Sequence, residues 1–215
     1  MKAIQKKTLH EEIANNLREM IMSGELKEGD KIKEKEFCEL MDISKTPLRE
    51  ALRVLSAEGL IRLIPNRGSY VTTPTFEEIK EMFDVMSVLE GVCARTAAEK
   101  MSNIDYEKLK KIHLQLEENF RLKDQKHYIR NNNKYHSFVQ ELAGNKTLNQ
   151  IVNGLRQKIL LYRYKSLNLS GRFEQSIREH RDLLEAFRKR DAEKAEFLMT
   201  SHMKKQSEAL EKLAK

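Results

Sequence analysis

The feature of this sequence that most constrains its fold is a change of periodicity at Gly59. Before Gly59, "KTPLREALRVLSAEG" carries apolar residues at helical spacing, and Ser44 can cap this helix with Pro47 tolerated in its first turn. After Gly59, "LIRLIPNRGSYVTT" consists of two β-prone runs around a Pro-Asn-Arg-Gly turn. The sequence therefore predicts a short helix joined directly to a β-hairpin.

Two further short helices are predicted ahead of this pair. Thr8 and Glu11 have the spacing of a capping box, and apolar residues follow at helical spacing to about Ser23. The segment "SGELKEGDKI" is rich in turn-forming residues, and "EKEFCELMD" is typical of a second short helix with one apolar face. Three short helices followed by a hairpin indicate a winged helix-turn-helix, which we predict for residues 1–74.

The rest of the chain, residues 75–215, is predicted to be a second domain that is entirely helical. Thr75 and Glu78 repeat the capping-box spacing and open a long helix that runs to about Lys100. No strand pattern and no sequence repeat follow it. The predicted fold class is therefore mainly α, with later helices expected at 104–122, 125–143, 146–167, 171–189 and 191–213.

Composition argues against a secreted or membrane protein. No apolar run approaches the ~20 residues that a membrane span needs, and the first residues lack the apolar core of a signal peptide. Cys38 and Cys93 lie far apart in the sequence, which is typical of two reduced thiols in a cytosolic protein. We expect a cytoplasmic protein with no membrane partner.

The net charge of +7 would suit a nucleic-acid partner, but residues 1–75 hold 13 Lys and Arg against 12 Asp and Glu. A DNA-binding function must therefore rest on a local pattern. In the third helix the apolar stripe from Leu48 to Leu55 leaves basic and hydroxyl side chains at the N-terminal end, which is the end that enters the major groove. The predicted DNA contacts on the second and third helices and the wing are Lys35, Ser44, Lys45, Thr46, Arg49, Arg53, Asn66, Arg67 and Gly68.

The first domain resembles the N-terminal domain of GntR-family bacterial transcription regulators. The resemblance is carried by "SGELKEG", "SKTPLREAL", "LSAEGL" and "RGSYV". One departure is Lys45, where the family usually has Arg, and lysine lacks the bidentate fork that grips a guanine edge. The resemblance implies a homodimeric regulator that binds a near-palindromic double-stranded DNA operator.

The second domain is similar to the ligand-sensing domain of the FadR-type subfamily, which is called FCD. The family carries D-x-x-x-H on one helix, a later E-H, and a His on the last helix. The corresponding residues are Asn132 with His136, then Glu179-His180, then His202. The resemblance implies that Asn132 and the three histidines bind a divalent metal, such as zinc, nickel or manganese, inside the helical domain.

Helical phase supports an inward position for these groups. Asn132 and His136 share a stripe with apolar residues, whereas Asn131, Asn133 and Lys134 fall off this stripe and are expected to be solvated. Buried imidazoles need partners, and a bound metal would satisfy all of them together. The alternative is that they are separate core histidines, each bonded to a backbone carbonyl.

The small-molecule effector is expected to bind near Met86 and Glu90. The subfamily usually has R-x-x-L-E on the first helix of this domain, but "MSVLE" places Met86 where the Arg would be. Asn132 also brings no charge to the metal, so an organic acid would be the natural neutralising ligand.

The leading interpretation is a transcription regulator, and repression is the commoner mode in the family. A second possibility is a metal-dependent hydrolase-like enzyme, because three histidines with open positions also describe a zinc site, but no motif supplies a general base, so we do not expect an enzyme. A third is an architectural DNA-binding protein without an effector, whose binding would depend strongly on salt and little on sequence.

Overall fold

The chain divides into two compact units, Met1–Thr75 and Phe76–Lys215. The computed structural model describes residues 8–72, 74–167 and 169–211. Within this part of the chain, no helix is long and apolar enough to cross a membrane. Cys38 is half-buried in the first unit and Cys93 is buried in the second, and both are free thiols.

The first unit is a winged helix-turn-helix, as predicted. Its helices and strands follow in the order α1 (Leu9–Ser23), β1 (Lys31–Ile32), α2 (Glu34–Met41), α3 (Lys45–Ala57), β2 (Ile61–Ile64) and β3 (Gly68–Val71). The strands form an antiparallel sheet in the order β1-β3-β2. Strand β1 was not predicted, because two residues are too few to show a strand period.

Local signals explain where these helices begin and end. At the start of α1, the backbone amide of Thr8 donates to Glu11 Oε2 at 2.9 Å, which confirms the predicted capping box. After α3, Gly59 adopts a φ of +78°, a left-handed conformation that stops the helix and turns the chain into the hairpin.

The core of the first unit is almost entirely apolar. Side chains of α1 and α3 meet in it, with Leu17, Leu48 and Leu55 fully buried. Fully burying one such leucine contributes about 1.5–3 kcal/mol. Among the described residues of this unit, Ser69 is the one buried polar side chain.

The second unit consists, in its described part, of six helices. These are α4 (Phe76–Lys100), α5 (Asn103–Arg121), α6 (Gln125–Ala143), α7 (Lys146–Leu167), α8 (Arg172–Lys189) and α9 (Ala192–Glu211). The helices coincide with the predicted ones to within one or two residues, and the predicted end of the last helix at 213 lies outside the described residues. Helices α4 and α9 pack so closely at Gly91 that an added Cβ there would collide with the Thr200 hydroxyl.

Polar groups accompany the apolar core of the second unit. Phe83, Tyr128 and Phe187 are among its largest fully buried side chains. Ionisable side chains are buried in the same interior: Glu90, His113, His136, Arg156, Arg163, Arg172, Glu179, His180 and His202. Such groups are rare in protein interiors unless they are paired or bind something.

Candidate DNA-reading surface and candidate metal centre

Helix α3 presents the predicted contact residues on its exposed side. Leu48, Ala51, Leu52 and Leu55 are buried, which confirms the predicted apolar stripe. The residues on the opposite side and at the N-terminus are exposed: Ser44, Lys45, Thr46, Arg49 and Arg53. Ser44 stands at the N-cap position, as predicted, but its side chain makes no cap hydrogen bond. Lys45 is the first residue of the helix and lies at the N-terminal end, which carries a partial positive charge.

An ion pair links the two helices of the helix-turn-helix. Arg49 Nε on α3 donates to Glu34 Oε2 on α2 at 2.9 Å. The Arg49 side chain remains 60% exposed, so an exposed pair of this kind contributes little to stability. Its effect is to orient the guanidinium at the surface. Lys35 on α2 is also exposed, and its Nζ lies 4.0 Å from Glu39 Oε1.

The tip of the wing is the turn between β2 and β3. Asn66, Arg67 and Gly68 are all exposed there. Asn66 has a φ of +60° and Gly68 a φ of +103°, which are conformations that Asn tolerates and Gly adopts freely. The Arg67 amide donates to the Ile64 carbonyl at 3.0 Å and closes the turn. Arg67 is thus held at the tip of a defined hairpin.

Three histidines converge inside the second unit. His136 from α6, His180 from α8 and His202 from α9 are buried, and their candidate ligand atoms all lie within 4.8 Å of one another. The ring centroids of His180 and His202 are 4.9 Å apart, and each lies 5.4 Å from that of His136. Three imidazoles this close are a suitable donor set for one divalent ion.

Each ring has one nitrogen held by a side chain and one without a partner. Nδ1 of His136 lies 2.9 Å from Glu90 Oε2, Nδ1 of His202 lies 2.6 Å from Glu179 Oε2, and Nε2 of His180 lies 2.6 Å from Asn132 Oδ1. These partners are side chains, not the backbone carbonyls of the alternative interpretation. The unpartnered atoms are Nε2 of His136, Nδ1 of His180 and Nε2 of His202.

Arginines hold the two carboxylates that orient the histidines. Arg156 Nε donates to Glu90 Oε1 at 2.8 Å, and Arg172 Nη2 lies 3.0 Å from Glu179 Oε2. Burial raises the pKa of the Glu90 carboxyl, but Arg156 and His136 outweigh it, so that the pKa ends well below its usual range. The Glu179 pKa is also lowered, because the hydrogen bond from His202 and the charge of Arg172 outweigh burial.

The imidazoles are neutral at physiological pH. Burial lowers the pKa of His136 to about 3, in spite of the neighbouring Glu90. Burial also lowers the pKa of His202, and it lowers that of His180 further because the other histidines add to the effect. Since an ionised carboxylate only accepts hydrogen bonds, Nδ1–H of His136 and of His202 must donate to it. The opposite nitrogen of each ring then carries a lone pair, as a metal ligand requires.

Comparison with known proteins identifies both units. The model of the bacterial regulatory proteins of the gntR family matches residues 9–71, and the FCD domain model matches residues 81–205. The chain belongs to the GntR family. It is therefore a DNA-binding transcription regulator with an FCD domain, and the members of this family are regulators rather than enzymes.

Relatives of this regulator extend over nearly the whole chain. The Bacillus subtilis HTH-type transcriptional regulator YdhC is 27% identical over 202 residues, which cover 91% of this chain and 88% of that protein. The HTH-type transcriptional repressor RspR of Escherichia coli K12 is 25% identical over 214 residues, with 95% and 90% covered. The solved structure of E. coli McbR/YncC has a TM-score of 0.80 at 21% identity and covers 98% of this chain and 100% of that one.

The predicted effector contacts of the FCD domain have other roles in the structure. Met86 is fully buried in an apolar cluster with Phe83, Ile159 and Met203. Both oxygens of Glu90 are engaged, one by His136 and one by Arg156. A small cavity instead borders His202, and its other lining residues are Ile129, Asn132, Arg163, Leu167, Ser176 and Gln206.

The burial of the three consecutive asparagines on α6, residues 131–133, is only partly as predicted. Asn132 is buried and Lys134 is exposed. The prediction that Asn131 is solvated was wrong, because this residue is buried and donates to Asn119 Oδ1 on α5 at 2.8 Å. Asn133 is half-buried and accepts from Arg163. Helix α6 packs against α4, α5 and α7, so its buried surface is wider than one stripe.

The arginines of the FCD domain were missed by the sequence analysis. Arg156 and Arg163 lie on one stripe of α7 with Val152 and Ile159, at steps of four, three and four residues. Basic side chains at apolar positions of a helix were the available signal, since such a charge needs a buried partner. The partner itself could not be identified from the sequence.

Proposed function

We propose that this regulator is a repressor that binds a near-palindromic operator as a homodimer and responds to a small organic acid held in a metal-containing pocket. The observation that carries the proposal is the convergence of three neutral imidazoles, each with a free nitrogen, in a chain whose other unit exposes a basic recognition helix. Because a transcription regulator binds chromosomal DNA, we assign this protein to the cytoplasm.

The DNA-binding half of the proposal uses the exposed residues of the first unit. Lys45, Thr46 and Arg49 would reach base edges or phosphates in the major groove, with Ser44 and Arg53 beside them. Lys35 and the wing residues Asn66, Arg67 and Gly68 would contact the DNA backbone or the minor groove. The exposure of all these side chains supports these roles.

The metal-binding half uses His136, His180 and His202, with Asn132 as the fourth member of the set. The free nitrogens of the three histidines are buried without partners, which is costly unless something binds them. Zinc, nickel or manganese are candidate ions. When bound, the ion supplies a Lewis acid that holds an anionic ligand. Glu90 and Glu179 orient two of the rings.

Dimerisation is supported by an apolar stripe on the outside of α4. Val85, Val88 and Val92 lie at successive turns and are 51%, 59% and 40% exposed. Contiguous exposed apolar residues of this kind often mark a protein interface. The name of the relative RspR, a repressor, supports repression as the sign of control.

Three measurements test the proposal: the assembly state, the operator footprint and the response of the operator affinity to metal. Analytical ultracentrifugation should give twice the chain mass of 25.2 kDa. Footprinting on DNA upstream of its own gene should protect two half-sites about one helical turn apart. Operator affinity, followed by fluorescence anisotropy, should change when a chelator removes the metal and recover when zinc is restored. Tight operator binding that no metal or organic acid alters would refute the sensing mechanism, and a single protected half-site would refute the dimer.

A further inference from the structure

The outer face of the wing sheet carries two cations that are not among the predicted DNA contacts. The strand register places Tyr70 on β3 opposite Lys31 on β1 and Arg62 on β2. The adjacent pair, Ile32 and Ser69, is buried. Because successive side chains of a strand point to opposite faces, the row of Lys31, Tyr70 and Arg62 lies on the solvent side of the sheet. We call these three residues the wing row.

Neither cation of the wing row is neutralised by a described carboxylate. Other exposed basic residues of the first unit, such as Lys33, Lys35 and Arg53, are each paired with a nearby glutamate. Lys31 and Arg62 are exposed and form no such ion pair among the described residues. Two unpaired cations on one small sheet produce a local positive potential, which attracts an anionic partner.

Tyr70 connects the wing row to the tip of the wing. Lys31 Nζ lies 5.7 Å from the centroid of the Tyr70 ring, a cation–π contact that positions the ammonium over the sheet. The Tyr70 hydroxyl donates to the Arg67 carbonyl at 3.2 Å. Arg62 precedes Ile64, the end of β2, by two residues, so the row lies roughly 7 Å along the strand from the tip turn. This distance equals the rise of about two base pairs of DNA.

A groove of about 250 Å³ runs along the β2 side of the wing row, and Arg62 and Tyr70 line it. Glu28 also borders the groove. The neighbouring Gly29 amide donates to the carbonyl of Val71, the last residue of β3, so Glu28 lies at the end remote from the wing tip. The part of the groove nearer the tip is therefore cationic and open to an extended anion.

We propose that the wing row is a second DNA contact of the first unit, in which Lys31 and Arg62 bind backbone phosphates beside the half-site and Tyr70 positions Lys31. The inference rests on the proposed function and extends it, because the wing contacts proposed above end at the tip. DNA is the partner that fits, since the row is continuous with the tip and its charge is complementary to phosphates. Phosphate contacts carry no base information, so the row adds affinity and fixes the position of the wing.

The test measures how DNA affinity depends on salt, using the full chain and fluorescence anisotropy. Lys31→Gln and Arg62→Gln are compared with the parent on the operator duplex and on a duplex of equal length and unrelated sequence. Each variant should bind both duplexes more weakly, by roughly tenfold at 0.1 M salt. The slope of log affinity against log salt should become shallower by about 1 per bound chain. Lys31→Arg keeps the charge and should bind as the parent does.

Two controls separate the wing row from a general effect of charge or folding. Arg188→Gln removes one positive charge from an exposed residue of the second unit that is paired with Glu185, and it should leave the slope unchanged. Because Lys31 and Arg62 are exposed, both Gln variants should melt at the temperature of the parent. A lower melting temperature with an unchanged slope would show a structural role and would overturn the proposal.

The remaining outcomes distinguish this inference from the proposed function. If the parent binds the operator and both Gln variants keep its affinity and slope, the wing row is not a DNA contact, whereas the proposed operator binding stands. A loss confined to the operator would indicate base readout and would overturn the phosphate assignment. Unchanged DNA binding with altered sedimentation would identify the row as a contact between two copies of the chain and would also overturn it. A parent that does not bind the operator would contradict the proposed function itself.

Discussion

The two units of this regulator place their ionisable groups in opposite ways. In the first unit the candidate DNA contacts are all exposed, and the one buried polar side chain among its described residues is Ser69. In the second unit arginines, glutamates and histidines are buried together. A surface that contacts phosphates works with solvated charges on an apolar scaffold. A pocket that selects a small ligand must keep charges out of water and in fixed positions.

The same difference predicts how each unit responds to substitution. Removing one partner of a buried ion pair leaves an uncompensated charge and is strongly destabilising, whereas an exposed pair contributes little. The second unit should therefore be sensitive at its polar residues and the first unit at its apolar ones. The following predictions test this contrast, from the largest expected effect to the smallest.

The largest effect is expected from Glu90→Ala in α4. This change leaves Arg156 and His136 without their buried carboxylate and should lower the free energy of unfolding of the second unit by about 3–5 kcal/mol. Hydrogen exchange with mass spectrometry should show lost protection in α4 and α6 but not in α1 or α3. Glu99→Ala on the same helix is the control, because Glu99 is 52% exposed, and should cost at most ~1 kcal/mol. If both variants lower the free energy of unfolding by the same amount, the proposed difference between buried and exposed charges is wrong.

A smaller effect is expected from metal binding. Zinc at about 100 times its Kd should stabilise the second unit by about 2.7 kcal/mol, measured as a rise in melting temperature that a chelator reverses. His202→Ala should abolish this rise. His127→Ala should keep it, because His127 is exposed and bonded to Asp124 on the surface. A zinc-dependent rise that survives in His202→Ala would place the metal elsewhere.

The smallest effect is expected on the DNA-binding surface. Arg49→Ala should weaken operator binding by about 1–3 kcal/mol and relax the preference at one base position if the side chain reads a base edge. Arg121→Ala is the control, because Arg121 is an exposed arginine of the second unit that is paired with Glu118. Fluorescence anisotropy at one fixed salt concentration gives both affinities. If the two variants bind the operator with the same affinity, Arg49 is not part of the DNA interface.

Sequence patterns predicted the fold closely because its elements are encoded locally. The capping box of Thr8 and the glycine at 59 specify helix ends within a few residues, and the stripe from Leu48 to Leu55 specifies a buried face. The inward position of His136 could be predicted from helical phase for the same reason. Strand β1 is too short to carry such a signal.

The polar partners of the pocket could not be predicted, because they are distant in the sequence. Glu90 contacts His136 across 46 residues and Arg156 across 66. A helical pattern shows that a side chain points inward but not which group it meets. The burial of Asn131 escaped prediction for this reason, since its partner Asn119 lies on another helix.

The central claim is that the buried histidines hold a metal, and metal content per chain tests it most directly. The protein is dialysed against zinc, freed of excess metal and analysed by mass spectrometry of the elements. The parent and His127→Ala should each retain about one zinc ion per chain, and a variant with both His136→Ala and His202→Ala should retain almost none. A parent protein without bound zinc, or a double variant that keeps it, would contradict the claim.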